Sequence, residues 1–137
     1  MEIRRTIRLW KSIIKRSWKD MKPTNLDDFH RQMIEAKQSY FLVEKIDLIQ
    51  EVSSHAYVEV YNSFIPGFVY RSDCPFVTHN DPSMPLILNP TSKMYYCHYC
   101  TNAGNVVGFI RELESCSNSY AIIYLADKYN LDLPMEL

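Results

Sequence analysis

Cys97-His98-Tyr99-Cys100 places two thiols three positions apart in a chain with only four cysteines. Such a pair can be a redox couple, half of a metal site, or two small apolar residues that happen to be close. A thioredoxin-like pair opens a helix beside a parallel sheet, where the helix N-terminus lowers the thiol pKa. Here a β-like stretch runs into Cys97 and a polar loop follows Cys100, a context that suits a zinc knuckle better. Tetrahedral zinc needs two more ligands, and the candidates are Cys74, Cys116, His30, His55, His79 and His98. His98 lies between the two cysteines and would have to fold back on itself. Cys74 and His79 sit together in SDCPFVTHND, an exposed turn. Cys74, His79, Cys97 and Cys100 make a CysHisCysCys set, the four-coordinate closure of a structural site with no open position for chemistry. Cys116, in ESCSNS, reads as a free buried cysteine. His55 reads as a surface or strand-edge residue, and His30 as a helix-face residue.

The elements that must hold these ligands follow from periodicity. Ile3, Ile7, Trp10, Ile14 and Met21 recur at helical spacing among basic residues, which predicts an amphipathic basic helix over 3–21, ended by Pro23. Thr24 or Asn25 can cap a second helix that runs to about Lys37 and buries Leu26, Phe29 and Met33. A third, Leu42 to about Val52, aligns Leu42, Ile46 and Ile49. The period then changes. Ala56–Tyr61 and Phe68–Arg71 read as strands around a Pro66-Gly67 turn. Pro85–Leu88 and Met94–Tyr96 flank Asn89-Pro90-Thr91-Ser92, a hairpin turn. Helices over Val106–Leu113 and Tyr120–Tyr129 close the chain, the last started by Ser117 or Ser119. The fold class is α+β: a small antiparallel sheet with a zinc-ribbon-like site, flanked by helices. Residues 1–41 form a helical extension and residues 42–137 the zinc-binding domain.

Composition narrows the function classes. At 47 % hydrophobic residues the chain folds, and no apolar run reaches the roughly 18 residues of a membrane span. The N-terminus lacks a secretory signal pattern, so a cytoplasmic location is expected, where thiols stay reduced. Net charge is −1, but residues 1–22 hold eight basic side chains against Glu2 and Asp20, a local +6. One end is built to meet something anionic.

From Val43 to Pro134 the chain resembles the CHC2-type zinc-binding domain of DnaG-type bacterial and phage DNA primases. The resemblance rests on Lys45-Ile46-Asp47-Leu48, Cys74-Pro75-Phe76, His79-Asn80, the run Tyr95 to Cys100, Gly104-Asn105, Gly108-Phe109-Ile110 and the closing Ala126–Leu131. Three departures stand out: a longer spacer between Cys74 and His79, Tyr99 where the family favours glycine, and a reduced glycine loop after the knuckle. The resemblance implies a zinc cofactor and a module that grips single-stranded template beside a separate catalytic domain. The 37 residues after Cys100 hold no acidic cluster for magnesium, so the chain is not expected to be a primase by itself. A catalytic primase subunit or another replication protein is the expected protein partner. No small-molecule substrate is expected.

Single-strand binding combines stacking aromatics with cations. If Lys93, Tyr95 and Cys97 face outward, Tyr95 could stack with Lys93 and Arg71 beside it, and Tyr99 lies in the knuckle. From His55 onward only four basic residues face eight acidic ones, so Arg4, Arg5, Arg8 and Lys11 of the basic helix would supply the missing attraction. Other readings of that helix are docking on the domain or a membrane-surface role with Trp10 and Trp18 as anchors. The competing function is a protein-interaction adaptor that kept the zinc scaffold without touching DNA.

Overall fold

The computed structural model describes residues 26–76 and 83–136. The helix expected over 3–21, the cap at Thr24 or Asn25, and His79 lie outside them. Helix α1, Leu26–Lys45, is continuous through Gln38–Phe41, where the sequence pattern suggested a break. That stretch contains neither glycine nor proline, so nothing stops the ladder there. The break comes at Ile46-Asp47. Asp47 is extended (φ −79°, ψ 115°) and its carboxylate accepts from the Ile49 amide, capping α2, Leu48–Ser53. Leu42, Ile46, Leu48 and Val52 enter the core from this corner. Leu26, Phe29 and Met33, expected inside, are exposed. Further along α1, Glu35 accepts from Ser119. Gln38 and Lys37 then donate to the carbonyls of Pro134 (2.9 Å) and Glu136 (2.7 Å).

Five strands follow in a meander whose spatial order equals chain order, every pair antiparallel. They are β1 (Val58–Val60), β2 (Tyr70–Ser72), β3 (Leu86–Asn89), β4 (Met94–Cys97) and β5 (Ala103–Gly104). The β3–β4 turn is set by Asn89, whose side chain accepts from the amides of Thr91 and Ser92, both at 3.0 Å. Strand β5 is too short to leave a sequence signal. Gly104 lies against the Tyr95 ring, where an added Cβ would come within 3.3 Å.

Register sorts the strand residues into two faces, because successive side chains alternate. One row runs Val60, Tyr70, Leu88, Tyr95 and Gly104, the next Val58, Ser72, Leu86 and Cys97. Leu86, Leu88, Tyr95 and Cys97 of these rows build the core with Phe109 and Ile110 of helix α3 (Val106–Glu114) and Ile122 and Leu125 of helix α4 (Asn118–Lys128). Val58 and Tyr70 pack against it, and Val60 at the sheet edge is exposed. Asn105 and Ser117 cap those helices, accepting from Gly108 and Tyr120 amides at 3.1 Å each. Phe76, Tyr95 and Phe109 form an aromatic triangle with ring centres 5.5–5.7 Å apart, in the tilted and edge-on arrangements that ring quadrupoles favour.

A buried carboxylate ties the helices together. Glu51 of α2 is fully buried and is bonded by His55 (2.8 Å), Lys128 (2.8 Å) and the Tyr129 hydroxyl (2.6 Å). Burial, and then the bond to Glu51, push the Tyr129 phenol above its ordinary value, so it stays the donor. His55, expected as a surface or strand-edge residue, is a structural partner of Glu51 and leans on the Phe109 ring.

Candidate metal centre and adjoining sheet face

Cys74 follows β2, Cys97 ends β4, and Cys100 closes the turn beyond it. Their sulfurs all lie within 4.8 Å of one another. Zinc–sulfur bonds of about 2.3 Å put tetrahedral ligands about 3.8 Å apart, so the cluster has the size for one ion. The turn is local chemistry. The Cys97 amide donates to Asn102 and the Thr101 amide returns to Cys97, each at 2.9 Å, with Thr101 at φ 60°. The Cys100 amide points at the Cys97 sulfur (3.5 Å), and the Asn102 side-chain amide at the Cys100 sulfur (3.4 Å). Donors aimed at sulfur stabilise thiolate, the form that ligates metal.

The thiols are not alike. Burial pushes Cys74 well up, against donation from the Phe76 amide, and pushes Cys97 up against donation from the Cys100 amide. Burial acts the same way at Cys100, but the Asn102 amide and its bonds with the neighbouring cysteines outweigh it and draw that thiol down. Three sulfurs this close cannot all carry charge without a cation among them, and a divalent ion meets that need. The donor set and spacing fit zinc. Cys116 is buried elsewhere, its thiol 3.8 Å from the Ile110 carbonyl, and does not join the cluster, as its sequence context suggested. His30 is an exposed residue of α1.

The expected nucleic-acid residues separate. Arg4, Arg5, Arg8 and Lys11 lie outside the described residues. Tyr95 is 1 % exposed inside the aromatic triangle, so its ring offers no face to a base. The condition on which Tyr95 could stack, that Lys93, Tyr95 and Cys97 face outward, is not met: Tyr95 shares the inward parity of Cys97. Lys93, at the left-handed end of the hairpin turn (φ 59°), donates to the Val43 and Glu44 carbonyls at 2.9 and 2.7 Å. It completes the C-terminus of α1, whose last carbonyls lack helical partners. Arg71 is on the outer face, bonded to Glu59 at 2.7 Å and lying 4.4 Å from the Tyr61 ring centre. Tyr99 is 61 % exposed.

The outer row is Glu59, Arg71, Ile87, Tyr96 and Ala103. Arg71 and Tyr96 are two strand spacings apart, about 10 Å. The Tyr96 ring meets His98 edge-on at 5.2 Å. Tyr61 and Tyr96 count among the aromatics of the sheet in the sequence, but neither they nor His98 were in the set expected to touch nucleic acid. The signal was available: a ligand at Cys97 fixes the parity of β4, which turns Tyr96 outward.

Comparison with known proteins agrees with this geometry. The family model for the CHC2 zinc finger matches residues 34–137. The chain is 33 % identical to a DNA primase of Thermotoga maritima over 92 residues, 67 % of this chain and 15 % of that protein. It is 30 % identical to a DNA primase of Chlamydia pneumoniae over 95 residues, 69 % of this chain and again 15 % of the relative. The crystal structure of the Aquifex aeolicus primase, comprising zinc-binding and RNA polymerase domains, superposes with a TM-score of 0.57 at 19 % identity. That match covers 72 % of this chain and 23 % of the other, and it shows the fold. The chain thus spans about 15 % of the length of the curated relatives it matches. With three cysteines gathered on a five-stranded meander and the family model covering well over half the sequence, the chain belongs to the CHC2 zinc-finger family.

Proposed function

We propose that this chain is a zinc-dependent module that binds single-stranded DNA during replication priming in the cytoplasm, with catalysis supplied by another chain or domain. The observation that carries the reading is the outer sheet face, where Arg71 lies over the Tyr61 ring and Tyr96 stands two strands away, with the buried Ile87 between them. Stacking on aromatics and a cationic track are what strand binding requires. Cys74, Cys97 and Cys100, with His79 as the fourth ligand, would hold the zinc. Bound there, the ion supplies charge neutralisation and a rigid corner, not reaction chemistry. The chain's own residues do the binding. Tyr96 and the exposed Tyr99 offer ring faces to bases, and Arg71 reaches phosphate on release from Glu59. Arg4, Arg5, Arg8 and Lys11 add the attraction that the acidic zinc half lacks.

Fluorescence anisotropy with a single-stranded oligonucleotide tests this. Tyr96→Ala should weaken binding about tenfold, within the range measured for one stacked base. Replacing Arg4, Arg5 and Arg8 together by alanine should lower the salt slope by about two, at about 0.7 per phosphate contact on single strands. Binding that is absent at low salt would discard the reading. It would favour a zinc-stabilised adaptor for a catalytic primase subunit or another replication protein. The pairing of Glu59 with Arg71, which neutralises the cation on the outer face, supports that second reading.

A further inference from the structure

The side of α1 turned away from the core carries a continuous apolar seam. Leu26 is 80 % exposed, Phe29 50 %, Met33 44 % and Tyr40 66 %. Ala36, also exposed, completes the series. Met33 and the buried Leu42 stand nine positions apart, about half a turn around the axis at ~100° per residue, so the seam lies opposite the core face. Its steps of three and four residues are the a/d spacing of a helix that meets one other helix. Near its start the surface is hollowed by about 370 Å³, lined by Leu26, Asp27, Phe29, His30 and Met33.

We propose that residues 3–21 of the same chain close on this seam as the partner helix of an antiparallel hairpin. Four residues separate that segment from α1, and a connection that short, containing Pro23, returns the chain alongside itself. Ile3, Ile7, Trp10, Ile14, Ser17 and Met21 follow the same a/d spacing. The lengths match: about 27 Å for 3–21 against about 21 Å from Leu26 to Tyr40. A tight turn over 22–25 sets the register. Met21 comes level with Leu26, Ile14 with Met33 and Ile7 with Tyr40. The two remaining layers are complementary in size. Trp10 meets Ala36, the smallest residue of the seam, and Ser17 meets Phe29, as large and small side chains alternate in well-filled helical interfaces. In the same register Arg5, Arg8, Lys15, Arg16, Lys19 and Lys22 lie away from the seam as an outward basic ridge, while Arg4 and Lys11 flank it. Tethering by four residues gives the segment a local concentration that no separate helix matches at ordinary protein levels. This inference stands apart from DNA binding.

Amide hydrogen exchange on the full chain, zinc-loaded and without nucleic acid, tests it alongside sedimentation equilibrium. A monomer is expected in which residues 5–21 exchange at least tenfold more slowly than an unstructured peptide of that sequence. Met33→Glu should remove that protection while residues 42–136 keep theirs. Ala36→Trp should do the same, because it crowds Trp10 in this register only. Peptide-like exchange of 5–21 in the parent chain overturns the proposal, as does protection that survives both substitutions. Protection found only in a dimer that dissociates on dilution also overturns it, since a second copy then occupies the seam.

Discussion

Two polar clusters sit inside this apolar domain, and they are stabilised in opposite ways. The cysteine corner gathers three groups that repel one another once ionised, so it needs a cation from outside. The Glu51 cluster contains its own balance: one carboxylate against a lysine, a histidine and a phenol. The first fastens strands too short to hold each other, three or four residues in most cases. The second fastens helices α2 and α4, which already share a core. A borrowed ion makes the sheet conditional on metal supply, whereas the helical half carries its polar staple in the sequence.

That contrast can be broken experimentally. Chelation, or Cys97→Ser, should have the largest effect: loss of exchange protection across β2–β5 and of the folded sheet, since binding energy in such sites is folding energy. Equal loss in α4 would show that the two halves do not separate. Glu51→Ala should cost about 3 kcal/mol in denaturant unfolding, because breaking a buried ion pair strands its partners. The metal content of that variant should stay at one ion per chain; zinc loss would mean the clusters are coupled. His55→Ala, which removes one partner while Lys128 and Tyr129 remain, should cost about 1 kcal/mol. Lys93→Met should cost least, about 0.5 kcal/mol, the scale of a cation at a helix C-terminus.

How legible each part was depends on how local its cause is. The Cys97–Cys100 pair stood out because a knuckle is written in four consecutive residues, and the β3–β4 hairpin because Asn89 shapes its own turn. The two-residue β5 was not legible, since its position is fixed by β4 and by the close approach of Gly104 to Tyr95. The Glu51 cluster was invisible because Tyr129 lies 78 positions away, and no periodicity announces a buried carboxylate. Helix α1 was divided in two for a different reason. Its apolar pattern changes face along its length, exposed at Leu26–Met33 and buried from Gln38, which resembles a break in the sequence. The parity of β4 was left conditional by the sequence, because a shift of one residue exchanges Tyr95 with Tyr96; burial of Tyr95 decides it.

Lys93 has a mechanical consequence. Its ammonium grips the last carbonyls of α1, while its backbone immediately precedes the strand that ends in Cys97. Tension applied along α1 therefore has a polar route to the ion-holding corner through this side chain, bypassing the three strands before it. The helix serves as a tether and the lysine as its knot, so a tug on one end of the molecule is felt where the metal is clasped.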